Sequence, residues 1–185
     1  MDRTKLARVL GVSMALLAFL NFAFAATEPS AETLTEARAL ITRSRYLQAD
    51  TLCRRALAAL PLHSRADSLA AGALLDLLAE SCWRRTSAVP PDADSVSRRG
   101  VELRTALHGE ASLERAASLT HRARVLRKFG RTQESIGIMR AVLAAQASAG
   151  ASDSALAVSE AATARMFAEL GSLDSAQTFD LRALD

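Results

Sequence analysis

The sequence predicts an all-α fold, an αα-hairpin repeat solenoid of about four helix pairs, from its composition and from an internal period. Hydrophobic residues make up 50% of the 185 residues but aromatic residues only 4%, and alanine and leucine dominate instead. Small and unbranched side chains lose little freedom in a helix, so this composition favours helix over strand. The chain also contains no Asn-Gly or Asp-Gly pair, the strongest hairpin signals of β-proteins.

A three-residue pattern of arginine, a small residue and an aliphatic residue gives the period. It recurs at separations of 44, 41 and 42 residues and begins at Arg55, Arg99, Arg140 and Arg182. Gly130 and Gly171, each at a predicted helix end, repeat the spacing of 41 residues independently. Periods of this length are typical of stacked helix pairs. The alternative, a plain helical bundle without a repeat, is less favoured because two separate features share the period.

Start and stop signals divide the chain after residue 30 into eight helices. The predicted ranges are about 31–43, 46–60, 64–85, 92–107, 112–130, 132–149, 152–170 and 172–185. Proline ends the second helix and fills the loop before the fourth, and glycine ends the later helices in the left-handed conformation. Side-chain oxygens that can accept free backbone N–H groups predict caps at Ser64 (with Asp67), Ser112, Thr132 and Ser172.

Apolar residues recur at intervals of three and four, as amphipathic helices require. The middle of the third helix, residues 69–79, is apolar on nearly every side, which predicts burial between neighbouring helices. Stripes are predicted in the fifth helix (Ala116, Leu119, Ala123, Leu126), the sixth (Ile136, Met139, Val142 or Leu143) and the seventh (Ala155, Val158, Ala162, Met166, Leu170).

Residues 1–25 have the organisation of a secretory signal peptide. A basic start precedes an apolar run over residues 9–24, and Ala23-Phe24-Ala25 has small residues where signal peptidase cuts. The run is shorter than the ~20 residues that a membrane-spanning helix needs. We therefore expect cleavage at or next to Ala26, export to the periplasm or the medium, and no stable membrane span afterwards. The alternative is an uncleaved N-terminal anchor.

Removing this segment changes the charge of the chain. The 185 residues carry 23 basic and 20 acidic groups, but Arg3, Lys5, Arg8 and Asp2 lie in the signal segment, which leaves 20 against 19 in residues 26–185. A nearly neutral domain gives little electrostatic reason to expect binding to nucleic acid or to a membrane surface.

The two cysteines, Cys53 and Cys82, would lie in an oxidising compartment, where a disulfide is permitted. A turn near residues 61–64 places Cys53 opposite residue 71 or 72, about ten residues, or ~15 Å, from Cys82. A disulfide needs Cα atoms within ~7 Å. We predict two unpaired and largely buried thiols.

The chain carries no catalytic signature, so we predict that it is not an enzyme and uses no metal or cofactor. It lacks His-Glu-x-x-His, Gly-x-Ser-x-Gly, phosphate-loop and paired-cysteine patterns. Its three histidines, His63, His108 and His121, are scattered, and many of its serines stand at helix starts, where capping explains them.

The first repeat carries the most specific resemblance to a known family. Tyr46, Ala49, Ala56 and Pro61 follow one another at intervals of 3, 7 and 5 residues. This is similar to the second helix of a tetratricopeptide repeat, and residues 170–176 resemble the turn between the paired helices of such a repeat. The later repeats look like the ~42-residue variety found in kinesin light chains and in many bacterial proteins.

The resemblance covers roughly residues 30–185 and departs from the family pattern in three places. Thr33 stands where a large aromatic residue is usual, Gly130 and Ala141 disagree on the repeat register by one residue, and Pro90-Pro91 lies at the inter-helix turn of the second repeat. The resemblance implies a right-handed superhelix in which the first helix of each pair lines a concave groove.

The same resemblance implies candidate protein-binding residues. Carried along the repeat spacing, it places Arg38, Cys82, Arg124 and Arg165 at equivalent groove positions, and Arg85 and Arg127 one turn later. Guanidinium groups in a column can bind carboxylates or a peptide C-terminus through paired hydrogen bonds. The alternative is a solvated face whose cations favour helix C-termini.

We therefore expect an exported, non-catalytic scaffold that binds a peptide or protein segment in its concave groove. One alternative is an N-terminal regulatory segment of a larger exported enzyme, for example one with a caspase-like CHAT domain downstream. This alternative follows from Phe179 and Leu181, which lie in the last predicted helix with no capping helix after them. Another is a structural protein that self-associates through that helix.

Overall fold

The protein is described by a computed structural model over residues 31–184, and its regular structure within this range is entirely helical. The eight helices are α1 (Ala31–Thr42), α2 (Tyr46–Ala59), α3 (Arg65–Arg84), α4 (Ala93–His108), α5 (Leu113–Lys128), α6 (Thr132–Ser148), α7 (Asp153–Glu169) and α8 (Leu173–Arg182). All eight predicted helices are present, and their ends differ from the predicted ones by at most a few residues. The predicted all-α fold class is confirmed.

The helices form four antiparallel pairs that stack in chain order. Each helix packs against the next one, and α3 also contacts α1 and α5. Successive second helices make no contact of this extent in the described range, so the stack curves with its first helices on the inner side. Helices α5 and α7 also lack a contact of this extent, although an ion pair between Arg127 and Glu169 joins them. This arrangement is an α-helical repeat solenoid.

Small residues lie where the two helices of each pair meet. The first helices contribute alanines that are at most 1% exposed, at spacings of 42, 44 and 41 residues: Ala37, Ala79, Ala123 and Ala164. The second helices contribute residues at most 6% exposed, at spacings of 44, 42 and 41: Ala49, Ala93, Ser135 and Ala176. The Ser135 hydroxyl donates a 2.7 Å hydrogen bond to the Ala123 carbonyl, so the two backbones are in close contact.

Most of the apolar core lies between the first helices and their pair partners. The predicted stripes in α5 and α6 are buried, and the apolar middle of α3 packs against four neighbouring helices. The stripe predicted for α7 is partly wrong, because Val158 is 60% and Leu170 47% exposed. Helix α7 instead turns Phe167 towards α8, where its ring stacks on Phe179 at 5.5 Å between centroids.

Helix ends follow the predicted signals in most places. Ser64 and Asp67 form a capping box, and the Ser112 hydroxyl accepts the N–H of Arg115. Gly130 and Gly171 end α5 and α7 with φ of 75°, a conformation that costs glycine little. Two predicted caps are wrong: Thr132 is the first residue of α6, and the Ser172 hydroxyl bonds to Ser175 instead of a backbone N–H.

Replacing Ser64 by alanine should lower the free energy of unfolding by about 1 kcal/mol. Its hydroxyl accepts the Asp67 N–H at 3.0 Å, while the Asp67 carboxylate accepts the Ser64 N–H at 2.9 Å. Ser152→Ala is the matched control, because Ser152 precedes α7 without a side-chain cap bond. Urea titrations followed by far-UV circular dichroism measure both variants. Equal losses would show that the capping box contributes nothing of its own.

Cys53 and Cys82 are unpaired and buried, as predicted, but the separation expected between them is wrong. Asp50, one turn before Cys53, lies with its Oδ2 atom 4.0 Å from the Cys82 sulfur. Helix α3 has 20 residues against 14 in α2, so counting residues outward from the turn gave the wrong register. Burial, and next the Asp50 charge, raise the pKa of Cys53 to about 12 and of Cys82 to about 11, so both thiols stay protonated at neutral pH.

No helix between residues 31 and 184 is long and apolar enough to cross a membrane. The predicted signal segment, residues 1–25, lies outside the described residues.

Candidate functional site

The concave face presents one outward residue from each first helix, next to the buried alanine of that helix. These residues are Arg38, Glu80, Arg124 and Arg165. We call them the groove row. The predicted third-helix member, Cys82, is wrong, because it is fully buried. The prediction assumed that successive first helices repeat at the same residue spacing as successive second helices. The two spacings differ because residues 85–92 form a longer loop than residues 43–45.

Arg38 begins the groove row beside a cavity of about 440 Å³. The cavity lies between α1 and α3 and is lined by Arg38, Ile41, Thr42, Ser44, Tyr46, Leu77, Glu80 and Arg84. Arg38 is exposed and forms no ion pair within the described range. Arg84 is held by Glu80, whose Oε1 atom accepts from its Nε atom at 2.6 Å. The cavity therefore offers one free guanidinium and several hydroxyl groups.

Trp83, near the end of α3, contacts two arginines of the first helices. The guanidinium of Arg124 lies 4.4 Å, and that of Arg84 4.7 Å, from the centre of its ring. The indole Nε1–H donates to Nδ1 of His121 at 3.2 Å, which joins α3 to α5. Cation–π contacts of this kind attract a guanidinium to the ring and restrict its movement.

Among the arginines that contact Trp83, Arg124 has the surroundings that least favour a positive charge. Burial lowers its pKa most, and the nearby charges of Arg84, Arg165 and Arg127 lower it further, while Glu80 acts in the opposite direction. No carboxylate within residues 31–184 forms an ion pair with it. Burial likewise lowers the pKa of His121, so this ring is neutral at pH 7 and can accept the indole hydrogen bond.

The other predicted site residues are divided between the groove and the interior. Arg165 is exposed, and no described carboxylate pairs with it. Arg127 pairs with Glu169 of α7 at 3.2 Å. Arg85 does not belong to the groove: it is 8% exposed, and its Nη2 atom donates to Asp50 of α2 at 3.0 Å. The reason is that the chain leaves α3 at Arg85 and turns this side chain towards α2.

The resulting surface is suited to anion recognition by hydrogen bonding. Three guanidinium groups on three different first helices, Arg38, Arg124 and Arg165, have no carboxylate partner among the described residues. Planar guanidinium groups bind carboxylates through two parallel N–H···O bonds. Within the described range, no group of three or more His, Cys, Asp and Glu residues is placed to hold a metal ion.

Sequence reasoning missed Trp83 and Glu80, the two residues that shape the charge of the groove. A signal for Trp83 existed, because it is the only tryptophan in the chain. The signal for Glu80 was its position after Ala79, which matches Arg38 after Ala37 and Arg124 after Ala123.

Three exposed apolar side chains lie in α8 or just after its end. Leu173, Leu181 and Leu184 are 69%, 56% and 83% exposed. They leave a surface on which the last helix could contact another molecule, and self-association through it stays a prediction.

Comparison with known proteins gives no assignment for this surface. No protein-family model matches the chain, and no curated protein matches it.

Proposed function

We propose that this chain is an exported, non-catalytic scaffold that binds an extended segment of a partner protein in its concave groove. The observation that supports the proposal is the set of unpaired guanidinium groups on three first helices, Arg38, Arg124 and Arg165, of which Arg124 contacts Trp83. An isolated surface arginine needs no explanation, but three on one inner face, in equivalent positions, favour a common ligand. The resemblance to tetratricopeptide repeats is consistent with this use of the groove.

The dimensions of the groove favour an extended ligand. Helices in contact lie 8–10 Å apart, so the row spans about 20 Å from Arg38 to Arg124, and Arg165 lies at least about 10 Å further on because α5 and α7 are not in contact to the same extent. An extended chain advances about 3.3 Å per residue, so roughly nine residues would span the row. A partner in this conformation can contact every first helix in turn.

Export is part of the proposal and rests on residues 1–25. A basic start, an apolar run and small residues before Ala26 are the features that signal peptidase recognises. The domain that remains after cleavage, residues 26–185, would then meet its partner outside the cytoplasm.

Selection from an unbiased library of displayed peptides, each about nine residues long, tests the proposal with residues 26–185 as bait. We expect enriched peptides that bind this domain and lose binding to the double variant Arg38→Glu/Arg165→Glu. Arg98→Glu is the matched control, because Arg98 is an exposed arginine on the second helix α4, with only a 4.0 Å contact to Glu102. No enrichment, or equal loss with the control variant, would contradict groove binding.

A further inference from the structure

We infer that the partner segment is acidic, with carboxylates that bind Arg124 on α5 and Arg165 on α7. This inference rests on the proposed function and adds the chemistry of the partner. Three features of the groove support it: the position of Arg124, the distribution of neutralised and free cations, and the acidic residues interspersed among them.

The position of Arg124 prepares it for a carboxylate. Its guanidinium carbon lies 4.4 Å from the centre of the Trp83 ring, and this cation–π contact limits the positions that the group can take. A guanidinium held in this way loses less freedom when it binds a carboxylate through two hydrogen bonds. Trp83 is therefore a positioning residue for Arg124.

The ion pairs in this part of the groove leave two arginines without an anionic partner among the described residues. Glu80 neutralises Arg84 at 2.6 Å, and Glu169 neutralises Arg127 at 3.2 Å. Arg124 and Arg165 have no such partner in the described part of the chain, and each lies within the electrostatic influence of the other. A bound carboxylate would relieve this repulsion, whereas a basic or purely apolar segment would not.

The interspersed acids favour a peptide over a nucleic acid. Glu80 stands in the groove row between Arg38 and Arg124, and Glu169 lies beside Arg127. A nucleic acid carries a negative charge on every phosphate, so some of its phosphates would meet these carboxylates. A peptide can place a neutral residue there and keep its acids for the free cations.

The groove row also predicts the spacing of a second acidic position. Arg38 on α1 and Arg124 on α5 are separated by α3, so they lie about 20 Å apart at ordinary helix spacings. An extended peptide covers that distance in about six residues. We expect the best ligands to carry an acidic pair for Arg124 and Arg165 and a further acid about six residues away for Arg38.

The single tryptophan gives a direct readout of binding. Residues 26–185 are titrated with a peptide of about ten residues that has glutamates at the inferred spacing in a serine background, and Trp83 emission is recorded. Anisotropy of the labelled peptide provides a second readout that does not depend on Trp83. Parallel titrations use the all-serine peptide, the lysine version and single-stranded oligothymidine.

We expect saturable binding of the glutamate peptide that weakens about tenfold or more in Arg124→Ala and in Arg165→Glu. Arg124→Lys, which keeps the charge but not the planar fork, should recover only part of the affinity, and Arg98→Ala should bind as the parent does. Binding should also weaken as salt rises from about 0.05 to 0.5 M. Arg165 is exposed, so its variant tests the inference even if Arg124→Ala fails to fold.

Equal binding of the all-serine or lysine peptide would overturn the inference of an acidic partner and leave groove binding intact. Binding of oligothymidine as tightly as the glutamate peptide would overturn it in favour of a general polyanion site. Library-selected peptides that bind in the groove but lack acidic residues would also overturn the inference of an acidic partner and leave groove binding intact. Failure of every peptide, selected or designed, would reject the proposed function as well.

Discussion

Replacing Asp50 by alanine is expected to lower the free energy of unfolding by about 3–5 kcal/mol, the cost of leaving a buried charge without its partner. Asp50 is 9% exposed and accepts from Arg54 Nε at 2.6 Å and from Arg85 Nη2 at 3.0 Å. Arg85 is itself 8% exposed and has no other carboxylate partner among the described residues. Removal of Asp50 would therefore leave the Arg85 guanidinium buried and unpaired between α2 and α3. Chemical unfolding followed by circular dichroism measures the loss.

Two further variants separate the buried charge from a general loss of contacts. Glu102→Ala breaks the loose, exposed contact with Arg98 and should cost at most about 1 kcal/mol. The double variant Asp50→Ala/Arg85→Met removes both buried charges and should be more stable than Asp50→Ala alone. If Asp50→Ala costs no more than Glu102→Ala, the buried pair does not hold the first two helix pairs together.

Replacing Ala123 by leucine is expected to destabilise the domain by about 1–3 kcal/mol through overpacking. Ala123 is fully buried where α5 meets α6, and its carbonyl accepts the Ser135 hydroxyl at 2.7 Å. The larger side chain would separate the two helices and stretch this hydrogen bond. Thermal and urea unfolding of the variant measure the effect.

Ala141→Leu is the matched control for this overpacking. Ala141 is exposed on α6, and alanine and leucine have similar helix propensities, so the control should change stability by less than about 0.5 kcal/mol. If Ala123→Leu is equally mild, the helices of this pair do not approach each other closely at Ala123.

Helix content, order and most helix ends could be predicted from the sequence, because local signals determine them. Gly130 and Gly171 end α5 and α7 in a backbone conformation that glycine adopts easily. Ser64 and Asp67 cap α3 through contacts within four residues. The cap predicted at Thr132 failed because α6 begins at Thr132 itself, and the one at Ser172 failed because its hydroxyl bonds to Ser175. The burial of α7 was partly misjudged, since the sequence of α7 alone does not show that Phe167 stacks on Phe179 of α8 while Val158 stays exposed.

The groove was harder to predict because its geometry depends on loop lengths. The arginine pattern belongs to the second helices, whereas the groove is built from the first helices, whose separations differ. The buried alanines, such as Ala37 and Ala79, would have given the right register and placed Glu80 in the groove row. Nothing local shows that Arg85 turns towards Asp50, and the contact of Trp83 with Arg124 joins helices that are far apart in sequence.

Chemical-shift mapping of residues 26–185 with the glutamate peptide tests most directly the claim that the stacked first helices form a binding groove. Two-dimensional amide spectra recorded along the titration locate the surface that the peptide contacts. The account predicts shifts confined to α1, α3, α5 and α7, centred on Trp83 and Arg124. Shifts confined to the outer faces of α2, α4 and α6, or no shifts at peptide concentrations that saturate the fluorescence change, would contradict it.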